Sequence, residues 1–571
     1  MNLKSTINLL ALGMIIATVV DTRAQTTFTK ITQGDIVNDL GSFSGFAWGD
    51  FNNSGFLDLF ASVYGGTNIL YRNHRDGNFG KIQQGDPDTD NDYHTTAAAG
   101  DYDNDGYLDL LVVAGQGAPA GRPNMLYHNN GDGTFSRVSG GSLTNQLGFY
   151  RDCAWADYDN DGFLDFFVDD HGSANDDGGR NLLFHNNGNG TFTKITSGAV
   201  FNDISVGYGV QWGDYDNDGF MDLLVLNNPT TTNGLNFLYH NERNGKFRRV
   251  LTNAVATDRW PQGALTGAWG DYDNDGFQDL FITGNGAPNR LYHNNGDGTF
   301  TNIIDGPMSA QPAGGFSNGC TWGDYDNDGY LDLFVSNGDG PNGLFHNNGD
   351  GTFTQVLDGD LVNDGAPGVT FGGCSWVDYD NDGFLDLFVH SAPDSTGQVS
   401  NSLYHNDGNS NAWLEVKCIG TVANRSAIGT KVRVRAMIGG KSFWQLREIN
   451  NGGGSQKIPL VAHFGMGDAT NVDIVRIEWP SGTVQEFPNV AAKQILTLTE
   501  PPRLVANGTN GIPHFYLKGG RFLQYDIQGS TDLMVWSPLA TVTITNLAGT
   551  AQITDTNVSP SGPRFYRAIS R

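Results

Sequence analysis

Asp101-Tyr102-Asp103-Asn104-Asp105-Gly106-Tyr107-Leu108-Asp109 puts four carboxylates and one glycine into nine residues. The pattern recurs seven times, beginning at Asp50, Asp101, Asp157, Asp214, Asp271, Asp324 and Asp378. Six copies carry carboxylates at positions 1, 3, 5 and 9. After the quoted copy these are Asp157, Asp159, Asp161 and Asp165; Asp214, Asp216, Asp218 and Asp222; Asp271, Asp273, Asp275 and Asp279; Asp324, Asp326, Asp328 and Asp332; and Asp378, Asp380, Asp382 and Asp386. The first copy is diluted to Asp50, Asn52, Ser54 and Asp58. So many like charges repel, and a hard cation accepting about six to eight oxygens at roughly 2.3–2.6 Å reverses that cost. Glycine holds position 6 in every copy, where a turn with φ > 0 brings the ligands together. Position 7 is always aromatic (Phe56, Tyr107, Phe163, Phe220, Phe277, Tyr330, Phe384) and offers a backbone carbonyl as a further ligand. The alternative is a set of ordinary polar turns. Seven copies in register favour Ca²⁺, up to seven ions, with the first site weakest.

Successive copies are 51, 56, 57, 57, 53 and 54 residues apart. Between them lies a second motif, Leu-(Tyr/Phe)-x-Asn before a Gly-rich turn and Phe, as in Leu126-Tyr127-His128-Asn129 and Gly133-Thr134-Phe135. Each unit reads as four short strands: an inner one ending before the acidic loop, an apolar second, a third at Leu-Tyr-His-Asn and an outer one after the turn. Four-stranded units at this period mean a β-propeller. Thr27-Phe28-Thr29-Lys30-Ile31 is an outer strand with no inner strand before it, and Leu403-Tyr404-His405-Asn406 is a third strand with no ordinary outer one after it. The N-terminal strand is therefore expected to complete the last unit and hide both edges. The fold class is all-β: a seven-bladed propeller over 25–408, followed by two small β domains at 409–500 and 501–571.

Residues 1–24 read as a secretory signal, with Lys4 before an apolar run from Ile7 to Val20 and small residues at Thr22-Arg23-Ala24. No other segment suggests a transmembrane helix, so the expected location is secreted and extracellular, or periplasmic or surface-attached in a bacterium. Formal charge is −29, and 26 of the 62 acidic residues lie in the loops. That balance makes nucleic acid and anionic membranes poor partners. Three of the four cysteines (Cys153, Cys320, Cys374) hold one repeat position before the loop, a core slot, and are read as buried thiols.

Past the repeats, Asn424-Arg425-Ser426-Ala427-Ile428-Gly429-Thr430-Lys431-Val432 and His463-Phe464-Gly465-Met466-Gly467 resemble the ASPIC/UnbV domain. The repeats are similar to the FG-GAP/VCBS type found in integrin α propellers and in cartilage acidic protein-like proteins. The pairing implies a calcium-binding extracellular protein and carries over no catalytic residues. The last 71 residues look like immunoglobulin- or fibronectin-like tails.

His128, His185, His240, His293, His346 and His405 share one position on the third strands, with Arg72 in the first unit. One per blade is too few for a shared zinc ion, so they read as structural hydrogen-bonding groups. The Trp before six of the seven loops (Ala99 in the second unit) reads as inter-blade core. Ligand contacts are expected on the face opposite the acidic loops, where the connecting loops differ. Position −7 before each loop is assigned to the channel mouth, with candidates His94, Arg122, Tyr150, Arg151, His171, Tyr208, Arg259 and Trp260. Aromatic rings beside cationic forks suit an extracellular glycan or protein ligand. The function expected is non-catalytic binding or adhesion. The alternatives are a polysaccharide lyase or hydrolase, for which Tyr150, Arg151 and His94 form the candidate cluster, and a structural spacer of a surface assembly.

Overall fold

The computed structural model describes residues 26–571, apart from short segments within 83–88, 116–120, 142–145, 173–178, 233, 305, 310–315, 339, 365–369, 393–399, 454–455, 507–512 and 556–563. The signal assigned to 1–24 lies outside the described residues. The chain is all-β, with a few single-turn helices between blades.

Each acidic loop joins the first two strands of a four-stranded antiparallel unit. In the third unit these are Tyr150–Ala156, Asp165–Asp170, Leu182–Asn186 and Phe192–Lys194, adjacent in chain order. Second strands such as Asp109–Ala114 are buried along their whole length because blades cover both faces. The Trp before the loop packs between blades: Trp155 is 0% exposed and its indole N–H donates to Ala98 O of the preceding blade. The first two units share one sheet, since strand Asp58–Thr67 runs on to pair with Asn91–Gly100. Phe28–Lys30 pairs with Ser402–Asn406, so the N-terminal strand does complete the last unit.

A second closure runs through the loops. Asn at position 4 adopts left-handed φ in every copy, between 52° and 62°, a region Asn tolerates. Its side-chain amide then donates to the position-6 carbonyl of the next loop. Asn53 reaches Gly106, Asn104 Gly162, Asn160 Gly219, Asn217 Gly276, Asn274 Gly329, Asn327 Gly383, and Asn381 returns to Gly55, all at 2.8–3.0 Å. Seven loops form one hydrogen-bonded cycle.

The region after the repeats builds two sheets. One joins Ala412–Ile419 to Ala462–Gly467 and Gln494–Thr499; the other holds Lys431–Ile438, Lys441–Glu448, Asn471–Glu478 and Val484–Ala491. Their inner faces share an apolar core around Leu414, Val434, Phe464 and Val475. Two three-stranded sheets around Tyr525 and Ile527 follow. All four cysteines are buried and unpaired.

These two domains sit on the acidic-loop face. Asp101 N–H donates to Ser426 Oγ (2.9 Å), His463 Nε2 lies 3.1 Å from Gly383 O, and Lys518 Nζ donates to Asp161 O (2.9 Å). From the first of them Gly453, Gln456 and Lys457 reach into the central channel. Gln211 Nε2 donates to Gly453 O at 2.7 Å, and Gln456 bridges to Cys374. A Cβ on Gly453 would lie 1.6 Å from Val210 O, so only glycine fits that passage. Lys457 has its ammonium 3.0 Å from Asp152 Oδ1 and 2.9 Å from Cys153 O, with both side chains of the ion pair 2% exposed. No helix among the described residues is long and apolar enough to cross a membrane.

Candidate metal loops and channel cavity

Loop geometry follows from the position-1 carboxylate. Asp101 accepts from Asp105 N–H through Oδ1 (3.0 Å) and from Gly106 N–H through Oδ2 (2.7 Å), winding the loop around itself. Asp109 at position 9 accepts from Asn129 N–H (2.8 Å) and Tyr102 N–H (3.1 Å), tying the loop to the third strand. The Asn129 amide donates in turn to Phe51 O of the preceding loop and to Leu108 O. The Leu-Tyr-x-Asn motif and the acidic loop are thus one device. The Gly-rich turns share its face, for a Cβ on Gly131 would lie 3.0 Å from the Tyr107 ring.

The third-strand histidines belong to the same device, which the sequence reading left out. His128 Nδ1 stands 3.3 Å from Asp109 Oδ1, and the equivalent distances are 3.2 Å for His185–Asp165, 3.3 Å for His240–Asp222, 3.2 Å for His293–Asp279 and His346–Asp332, and 3.1 Å for His405–Asp386. One signal was available. The unit with Arg72 in place of His is also the unit whose loop lost its middle carboxylates.

Do the residues fit a cation? Buried oxygens with no hydrogen bond point into the loops: Asp103 Oδ1, Asp159 Oδ1, Asp216 Oδ1, Asp222 Oδ2 and Asp380 Oδ1. Burial pushes the carboxyls of Asp109, Asp165, Asp279 and Asp386 up to about 7 and that of Asp222 to about 8. Contact with the position-9 carboxylate raises His128 to about 8 and His185, His293 and His405 to about 9. These are loops short of positive charge, with oxygen donors already convergent. They fit a hard divalent ion.

The loops are not equal. Lys417 Nζ lies 3.5 Å from Asp50 in the first, where burial raises the Asp58 carboxyl to about 7 despite the opposing charge of Arg72. Lys431 Nζ lies 2.6 Å from Asp214 in the fourth, where Arg243 Nε holds Asp218 at 2.7 Å. Arg521 approaches Asp103 of the second at 3.5 Å.

The opposite face corrects the sequence reading by one residue. Position −7 is not on the channel: Tyr150 is 2% exposed in the core between blades, Phe43 likewise 2%, and His94 0%. A register shift in each inner strand, as between Tyr150 and Cys153, sets the alternation, and position −6 faces inward instead. Ser44, Thr95, Arg151 and Tyr208 from that position line a cavity of about 100 Å³, together with Tyr64, Asp152, His390 and Lys457. Trp260 is buried too, with Arg290 stacked 4.2 Å above its ring. Arg122 is committed to Asp92 at 2.6 Å. His171 packs against Tyr208 with ring centroids 5.2 Å apart, and burial pushes it down to about 4. Arg259 is exposed, and its carbonyl accepts from Arg290 at 2.8 Å. The Tyr150, Arg151 and His94 cluster of a lyase therefore does not form: two members are enclosed.

A propeller whose blades carry one acidic loop each defines the class of protein. The FG-GAP-like repeat model matches residues 50–112, 111–168, 170–225, 271–335 and 324–389, just over half of the chain, and the ASPIC and UnbV model matches 420–504. The chain belongs to the FG-GAP-like repeat family. It is similar to cartilage acidic protein 1 of Mus musculus, 29% identical over 320 residues, covering 54% of this chain and 46% of that protein. The human protein of that name is 30% identical over 282 residues, covering 47% and 40%. The chain thus spans less than half the length of these relatives. Among solved structures, a BBS1N chain crystallised with ARL6DN is 9% identical with a TM-score of 0.42, covering 68% of this chain and 99% of its own. An AofleA chain from Arthrobotrys oligospora is 13% identical with a TM-score of 0.35, covering 58% and 91%.

Proposed function

We propose that this chain is an extracellular binding protein in which calcium stiffens the propeller and the channel end opposite the acidic loops receives the ligand. The observation that carries the reading is the division of the two faces. Loop carboxylates with orphaned oxygens lie on one face, where the C-terminal domains cover them. The cavity at the other end is lined by aromatic rings and an arginine. Positions 1, 3, 5, 7 and 9 of six loops would hold the ions; the first loop, with two carboxylates and Lys417 beside it, would fill last. Bound calcium supplies the positive charge that lets neighbouring loops sit side by side. The ligand class is a glycan or protein surface. Burial of Tyr150 and His94 removes the two base candidates that the sequence placed beside Arg151, which favours binding over catalysis. A glycan array run beside an assay for unsaturated uronate products tests this. Binding with no product supports it, and turnover would reject it.

A further inference from the structure

We propose that the channel cavity is a carboxylate site, with the Arg151 guanidinium as its principal donor; this deepens the binding reading above and rests on it.

Arg151 is half-buried in the cavity wall, its guanidinium lying 4.2 Å over the Tyr208 ring. That contact anchors the guanidinium on the ring and leaves its N–H groups free to donate. Among the described residues, neither a hydrogen bond nor a salt bridge holds them. The nearby acids do not bond it. Asp152 pairs with Lys457 at 3.0 Å and accepts Val210 N–H at 2.8 Å, while Asp169 accepts Asp152 N–H through Oδ1 at 2.6 Å and keeps an Oδ2 without a hydrogen bond, near enough to act on the Arg151 charge but making no ion pair with it. An arginine fork anchored on a ring and left uncommitted is suited to bidentate recognition of a carboxylate.

The floor supports the same sign. Lys457 spends two of its three N–H donors on Asp152 and Cys153 O, and it too lines the cavity. Its charge and that of Arg151 outweigh the single Asp152 carboxylate in the lining. Because Lys457 belongs to the domain on the far face, the site is complete only when that domain is docked. Tyr208 keeps its hydroxyl hydrogen available while accepting from Asn228 (2.8 Å), and Tyr64 also lines the cavity.

Volume limits the guest. An apolar cavity of about 150 Å³ holds a benzene ring, so about 100 Å³ suits a carboxylate with its α-carbon and one substituent. The shared chemistry is a carboxylate with an oxygen on its α-carbon, either a free hydroxy acid or the acidic edge of a uronate whose ring stays outside at the mouth.

The full calcium-loaded chain is titrated calorimetrically with glycolate, galacturonate, trigalacturonate and, as the uncharged control, galactose. Saturable binding of the acids and none of galactose is expected. Glycolate equal to or tighter than trigalacturonate identifies a free acid, and the reverse order a glycan end. Arg151→Gln should weaken binding at least tenfold, with Arg151→Lys between it and the parent, and unchanged melting temperatures show that both variants are folded. No saturation by any acid up to about 50 mM, or affinity indifferent to Arg151→Gln, overturns the proposal. If galactose binds as well as galacturonate and Tyr208→Ala abolishes both, the carboxylate assignment fails while the channel-end binding reading stands.

Discussion

Lys457→Met probes the seat of the C-terminal domain. The ammonium and Asp152 are each 2% exposed and 3.0 Å apart, inside a channel that water hardly reaches. Removing one partner of a buried pair leaves the other charge unneutralised and costs about 3–5 kcal/mol. Methionine fills the same space, so the loss measures charge more than packing. Pairing it with Asp152→Asn removes the stranded charge and keeps an acceptor for Val210 N–H, so the double variant should recover most of the stability. Urea unfolding in saturating calcium reads the change, and limited proteolysis at residues 409–411 reads undocking. A single change costing under about 1 kcal/mol, or a double variant as damaged as the single, would refute the claim that this pair locks the domain into the channel.

Other outcomes follow from the same structure. Lys431→Met removes the cation 2.6 Å from Asp214, so the calcium-free protein should melt lower and gain more from calcium than the parent; an equal gain contradicts it. A carboxyl such as Asp109, raised on folding from 3.8 to about 7, binds protons more readily when folded. Calcium-free stability should therefore fall as pH rises from about 4 through 7, and calcium should flatten that trend; melting at pH 5.5 and 8 in metal-stripped buffer decides it. Gly383→Ala should be worse than Gly55→Ala. Both have φ near +86°, but a Cβ at Gly383 would lie 1.7 Å from the Trp413 ring, while at Gly55 nothing lies within 4 Å. Similar melting temperatures for the two would argue that Trp413 is not seated against loop seven.

Much of this was readable from the chain because repetition displays the constraint. The acidic positions, the turn glycine, the buried tryptophan and the N-terminal strand that closes the ring each follow from local chemistry at a fixed period. The channel lining was missed by one residue. In a strand, a shift of one moves every side chain to the other face, and the bulge after Tyr150 has no residue-type signature. Docking of the C-terminal domain was also out of reach. Gly453 and Lys457 look like ordinary loop residues until Val210 and Asp152, more than 200 positions away, come against them. The role of His128 and its equivalents depends on contact across strands, and only the joint loss of His and carboxylates in the first unit hinted at it.

The central claim is that the seven acidic loops are cation sites and together hold the ring. Equilibrium dialysis of metal-stripped protein against about 2 mM free calcium, a concentration that fills extracellular sites, tests it most directly by counting ions per chain. At least five bound ions are expected from the six loops with four carboxylates, since protein cations already crowd the fourth. One ion or none per chain would contradict the account.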